Sequence, residues 1–208
     1  MKIERIILAS SSPRRREILS RFGIKFDVIP SDADENITAP DCRTLVCELA
    51  KLKGDSVYDA LRQKGDDMSR TLLISCDTVV EYNGMVIGKP ADARHAELTL
   101  GLLSDSWHNV LSGLQLRVGD TAVADCALTR VKFAPVPEDV ISAYVATGEP
   151  MGKAGSYAIQ GLAGSFVERI EGDYFNIVGL PLALMVRMLR DDFGLSMFDL
   201  ESFTDAVC

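Results

Sequence analysis

The sequence predicts an α/β protein with a mixed sheet, and three observations carry that expectation. Short apolar runs alternate with helical patterns through the first half of the chain. Two longer strand-like runs then follow each other as a meander, and further helices close the pattern. Finally, 208 residues with 47% hydrophobic and 25% charged side chains suit one domain, or one domain with two lobes, around a real core.

Taken in order, Ile6–Ala9 reads as a buried strand. Ser12 and Pro13 read as the cap and first residue of a helix that buries Ile18, Leu19 and Phe22 and stops at Gly23. Phe26, Val28 and Pro30 mark a second strand, and "SDADENITAPDC" is polar enough for a loop. Leu45, Leu49, Leu52 and Val57 give helical spacing from about Thr44 to Leu61. "LLISCDTVV" is a buried strand carrying a single charge, Asp77, and Asn-Gly inside "YNGM" predicts a hairpin pairing Val79–Tyr82 with Met85–Ile87. Asp92–Leu103 is helical. Val110–Arg117 and Val123–Phe133 pair around "VGD", and helices over Pro137–Thr147 and Pro181–Phe193 end at Gly148 and Gly194. Between them lies the glycine-rich "GKAGSYAIQGLAGS".

Five scattered cysteines without a C-x-x-C pair read as reduced thiols of a cytoplasmic protein, not as a disulfide framework or zinc site. No run approaches a membrane span, and Ile6–Ala9 is too short for a signal-peptide core. A formal charge of −8 argues against a nucleic-acid groove, yet leaves room for a local cluster that holds a small anion.

That cluster is Arg14–Arg15–Arg16, at a strand-to-helix turn opened by Ser10, Ser11 and Ser12. A helix N-terminus offers unpaired N–H groups and the positive dipole end, and arginine adds a planar fork for phosphate oxygens. Successive helical residues rotate by about 100°, so one arginine must face solvent, and Arg16 is that residue. The alternative is a wholly solvated face paired with Glu17. A carboxylate within "LLISCDTVV" is costly unless paired or metal-bound, and Asp77 sits where open sheets bind ligands, beside Thr78 and near Lys89. Asp32, Asp34 and Glu35 offer oxygen ligands of the kind magnesium accepts, or a merely solvated loop. Gln160 could read a base edge, or its loop could be a plain connector. His95 reads as exposed, His108 as a structural hydrogen-bonding residue, and Trp107 as packing.

Together "LASSSPRR", "DEN", "LAKLK", "SCDTVV", "IGKP", "WHNVLSG" and "GEPMGKAGSYAIQGLAGSFVERIEGDYFNIVGLPL", in one order from Leu8 to Leu182, resemble the Maf family of nucleoside triphosphate pyrophosphatases. The resemblance implies an elongated, twisted mixed sheet in two lobes with a nucleotide cleft, related to inosine triphosphate pyrophosphatases. It would occupy residues 1–194, with 195–208 a tail of uncertain order. The implied reaction converts a nucleoside triphosphate and water into the monophosphate and pyrophosphate, with a divalent metal (Mg2+ or Mn2+) and attack of water at the α-phosphorus. Carried over by position, Ser10, Arg14, Arg15, Lys53 and Lys89 bind phosphates. Glu35 and Asp77 handle metal and water, with Asp77 the proton acceptor. Arg14, Thr78 and Gln160 match positions associated with substrate choice, and the "SPRR" and "AIQG" forms resemble the branch acting on dTTP and UTP. Cys76 and Gly54 depart from the alanines usual there. Two alternatives remain open: the same chemistry on a modified or purine nucleotide such as 7-methyl-GTP, and a non-catalytic regulator of cell division. The resemblance is also compatible with a homodimer.

Overall fold

A computed structural model describes residues 2–200. Its centre is a seven-stranded sheet in the order β2-β1-β3-β5-β6-β7, with β4 added on β3. β1 (Arg5–Leu8) runs parallel to β2 (Asp27–Val28) and to the start of β3 (Thr71–Tyr82). The other pairings are antiparallel: β3 with β4 (Met85–Ile87) and β5 (Trp107–Val118), β5 with β6 (Thr121–Phe133), and β6 with β7 (Val167–Glu171). The mixed sheet expected from the sequence is present. Asn83 and Gly84 both take positive φ, 51° and 80°, which the tight β3–β4 hairpin requires.

The two edges of β3 are treated differently. β5 covers one edge from Leu72 to Glu81. On the other, β1 covers Thr71–Ile74 and β4 covers Val80–Tyr82, leaving Ser75–Val79 without a strand. That gap opens the cleft described below.

Alternation along β3 then distributes the core. Leu72, Ile74 and Cys76 face one side, against Ile18 and Leu19 of α1 (Pro13–Arg21) and Met185 and Leu189 of α6 (Leu182–Phe193). Leu73 faces the other side, against Val57 and Leu61 of α2 (Cys42–Gln63). At the far end of the sheet Val80, Val110, Val131 and Phe133 pack under α3 (Ala93–Leu103) and α4 (Glu138–Ala146). Leu195 and Leu200 join the first cluster, so the described start of the C-terminal tail is packed; residues 201–208 lie outside the described residues. No helix among the described residues is long and apolar enough to cross a membrane.

α2 lies directly on the sheet because β5 has a glycine beneath it. A Cβ on Gly113 would sit 2.0 Å from the Val46 carbonyl oxygen, a backbone atom that cannot swing aside. This close seat sets the height at which the later turns of α2, including Lys53, stand over β3.

Several local expectations are corrected. Ser12 occupies the cap position of α1, but its side chain makes no capping bond; its N–H instead donates to Ser10 Oγ at 3.2 Å. Phe22 is 37% exposed, resting edge-on against Phe175 and not buried in the core. The second strand is only two exposed residues and excludes Phe26 and Pro30, because β2 is an edge with a single neighbour. α2 starts two residues earlier than its apolar spacing indicates, since Asp41 caps it by accepting from Thr44 N at 2.8 Å. α5 (Tyr174–Val178) was not expected; it is too short to show a helical period.

His108 fills the structural role expected of it. Buried beside Phe133 and Tyr157, it shares a 2.9 Å hydrogen bond with the Tyr157 hydroxyl. Desolvation lowers its pKa from the ordinary 6.5 to about 4.

Gly113→Ala should lower stability by about 1–3 kcal/mol or more through overpacking, seen as a reduced thermal midpoint. His108 stays neutral in the fold below the pH at which the unfolded chain binds a proton. Its contribution is therefore complete at neutral pH and is lost as pH falls from the unfolded value toward about 4. His108→Gln should flatten that loss, worth at most about 3 kcal/mol, in urea unfolding at pH 7 and pH 4.5.

Candidate active site

The gap in the β3 edge opens into a cavity of about 650 Å³, within the size range of small-molecule sites. Its walls come from the end of β1 and start of α1, the loop at Pro30–Glu35, Lys53, β3 beyond Cys76, the segment after β4, the glycine-rich loop, and the turn at Gly179. Ser10, Arg14, Arg15, Glu35, Lys53, Asp77, Thr78, Lys89 and Gln160 all line it, so the fold gathers the nine side chains that the family resemblance carried over. They come from positions 150 residues apart in the chain.

Lys53 and Asp77 form the innermost contact. Lys53 Nζ lies 2.6 Å from Asp77 Oδ1, and the two side chains are only 12% and 14% exposed. The same ammonium lies 2.8 Å from Glu35 Oε2, but that carboxylate is 54% exposed, so solvent screens the second contact more strongly. Alternation explains the geometry: Asp77 points to the α2 side of β3, as Ser75 does through its 2.7 Å bond to the Ala50 carbonyl. Of the acidic loop only Glu35 reaches the cavity. Asp32, which accepts from Ser56 Oγ, and Asp34, which accepts from Asn36 N, do not line the cavity, so neither is placed as the expected oxygen ligand there.

The three arginines separate as helical rotation requires. Arg16 is exposed, as expected. Arg15 donates to three neutral acceptors: Gly179 O through Nε at 2.8 Å, Ser10 Oγ through Nη1 at 2.9 Å, and Thr78 Oγ1 through Nη2 at 3.2 Å. Two of its five N–H groups remain. Gly179 O also accepts from Cys76 Sγ at 3.2 Å, which fixes the turn after α5 to β3. Thr78 Oγ1 is further engaged with Ser112 Oγ at 2.8 Å, so its hydroxyl belongs to the wall as much as to the cavity. Arg14 is half-buried and makes neither hydrogen bond nor ion pair among the described residues; desolvation first, and then Arg15, hold it below the ordinary guanidinium range. Lys89 is exposed at the rim and Gln160 at the mouth.

One lining cation had no part in the sequence reading, Lys153. The signal was present, a lysine inside "GKAG", but flanking glycines do not mark where a loop side chain points. With it, five cations (Arg14, Arg15, Lys53, Lys89, Lys153) face two acids (Glu35, Asp77), a formal excess of three positive charges in a chain of −8. Only Lys53 among the five has a carboxylate partner among the described residues. Such a cavity selects a compact polyanion.

The donors for a divalent cation are few. Lys53 engages one oxygen of each carboxylate, and Asp77 Oδ2 and Glu35 Oε1 have no hydrogen-bond partner among the described residues. No group of three or more His, Cys, Asp or Glu residues could hold a metal among those described. Two free carboxylate oxygens suit Mg2+, which takes one or two carboxylates and completes its sphere with substrate phosphates and water. The four described cysteines are free.

A dTTP/UTP pyrophosphatase of Thermococcus kodakarensis is 43% identical over 183 residues, 88% of this chain and 94% of that protein. Those of Symbiobacterium thermophilum and Clostridium novyi are 44% and 41% identical, covering 94% and 90% of this chain and 97% of each relative. Among solved structures, the Staphylococcus aureus Ham1 protein aligns with a TM-score of 0.45 and 15% identity over 63% of this chain and 72% of that one. The Maf-like protein model matches residues 5–192, nearly the full length, and the chain belongs to the Maf family.

Proposed function

We propose that this chain is a hydrolase that converts dTTP and UTP into the nucleoside monophosphate and pyrophosphate. The observation that carries the reading is the cavity's excess of unpaired cations around one partly buried Lys53–Asp77 contact, in a chain whose relatives are named for that activity. A triphosphate brings concentrated negative charge, and preorganised cations are the main means by which proteins lower the barrier to its cleavage.

Asp77 is the proton acceptor. Held between β3 and Lys53 at the base of the cleft, its carboxylate takes the proton from the attacking water. The water oxygen bonds to the α-phosphorus as the bond to the bridging oxygen breaks, and that electron pair leaves with pyrophosphate. Lys53 keeps the Asp77 carboxylate oriented and, with a second N–H directed at Glu35, offers its one remaining N–H to the α-phosphate. Ser10 Oγ accepts from Arg15 and from Ser12 N, which leaves its own proton to donate to a phosphate oxygen. Arg15 adds its two unused N–H groups, while Arg14 and Lys89 meet the phosphates with no competing acid. Arg14, Thr78 and Gln160 form the specificity set, with Gln160 at the mouth where a base would lie. A divalent cation, Mg2+ or Mn2+, held by Asp77 and Glu35 together with substrate oxygens would offset phosphate charge and acidify a water. The same reading takes residues 1–194 as one two-lobed catalytic unit of a cytoplasmic protein.

Asp77→Asn should reduce pyrophosphate release from UTP by roughly 10²–10⁴-fold while calorimetry still shows UTP binding; full activity in that variant would remove Asp77 from the mechanism. In a panel with Mg2+ present, UTP and dTTP should be turned over faster than 7-methyl-GTP or ITP. The opposite ranking with 7-methyl-GTP first would overturn the substrate assignment made from Arg14 and Gln160.

A further inference from the structure

Lys153 lies in a turn whose backbone is strongly constrained. Gly152, Gly155 and Ser156 all take positive φ, 72°, 71° and 60°. A Cβ on Gly155 would approach Val80 Cγ2 to 2.8 Å, and the Gly155 N–H donates to Gly88 O at 3.2 Å. The turn is thereby pinned between β3 and the residue next to Lys89.

The Lys153 side chain is half-buried, and its Nζ donates to the Glu149 carbonyl oxygen. That bond orients the ammonium without neutralising it and leaves two N–H groups free. The Glu149 carboxylate is turned elsewhere, accepting from Tyr144 Oη at 3.0 Å and Leu162 N at 3.1 Å. Burial, followed by the charge of Arg14, holds the Lys153 ammonium below its ordinary pKa. Two partly desolvated cations therefore repel one another across one cavity, and among the described residues neither forms an ion pair, the Glu149 carboxylate offsetting the Lys153 charge only as the least of its influences. That arrangement is unfavourable in the free protein and becomes favourable when an anion lies between them.

The position selects which part of the substrate it serves. Lys53, Asp77 and Glu35 mark the end where water attacks, while Arg14 and Lys153 are the half-buried cations free of that acidic pair. Negative charge grows on the departing oxygen as pyrophosphate leaves, and cations there stabilise the transition state. We propose that Lys153 is a substrate-contacting residue which, together with Arg14, holds the pyrophosphate end of the bound nucleotide. The inference rests on the pyrophosphatase reading above.

The test compares wild type, Lys153→Met and Lys153→Arg with Mg2+ present. It measures kcat/KM for UTP, the inhibition constant of inorganic pyrophosphate, and the thermal midpoint. Loss of one charge-assisted contact should lower kcat/KM and raise the pyrophosphate inhibition constant by a similar factor, about tenfold to a hundredfold, in Lys153→Met. Lys153→Arg, which keeps the charge, should restore both to within a few-fold of wild type. An unchanged pyrophosphate inhibition constant in folded Lys153→Met overturns the proposal, including the case in which UTP turnover falls, because Lys153 would then serve the base or the loop. If Lys153→Met unfolds, failure of Lys153→Arg to hold pyrophosphate as wild type does, at an unaltered thermal midpoint, overturns it equally. Absence of pyrophosphate release by wild type would instead defeat the functional reading itself.

Discussion

The site depends on an interruption in the pairing of one strand. β3 is twelve residues long and covered by β5 from Leu72 to Glu81 on one edge, but β1 and β4 share the other and do not meet. Had β1 continued by five residues, its backbone would fill the space where Asp77 and Thr78 now face the cavity. Instead β1 stops at Leu8, the chain turns through three serines, and α1 starts with its N-terminus directed to the opening. The site thus lies beside the point where the strand order β2-β1-β3 reverses direction, the usual place for a ligand crevice in an open sheet.

Around that opening the charged groups divide into those that build the wall and those left for a ligand. Arg15 is the wall's fastener: its guanidinium joins α1, the end of β1, β3 and the turn after α5 through neutral acceptors. Lys53 and Asp77 hold each other from opposite layers of the protein, α2 and the sheet. A largely enclosed ion pair of this kind carries part of the desolvation cost of burying charge, which packing of apolar side chains would avoid. Arg14, adjacent in sequence to Arg15, is free because one helical step carries it to a different side of the turn.

Much of this was legible in the residues. Periodicity and turn chemistry located most long elements, since helix caps such as Asp92 and the Asn83–Gly84 hairpin are local signals. The cleft residues were legible because Asp77 is anomalous within an apolar strand and the arginine cluster is anomalous within an acidic chain. What failed was non-local. Phe22 has the spacing of a core residue, yet the sheet narrows to the two-residue β2 near it and Phe175 is its partner. Ser12 has the right identity for a cap, but Ser10 is drawn toward Arg15 and takes the Ser12 N–H. Lys153 was invisible because its direction is set by left-handed backbone at Gly152 and Gly155, and that depends on Val80 and Gly88 being alongside.

The charge separation between cleft and exterior also has a kinetic meaning. The cavity's three positive charges within a total of −8 leave the rest of the molecule with a formal eleven negative. A small anion approaching such a molecule meets a net opposing charge on the exterior and attraction at the mouth, where low-dielectric walls focus the field of the unpaired cations. The molecule therefore acts as an electrostatic lens, gathering ligand at one opening, and salt blurs that lens once the screening length falls to about 8 Å at physiological ionic strength.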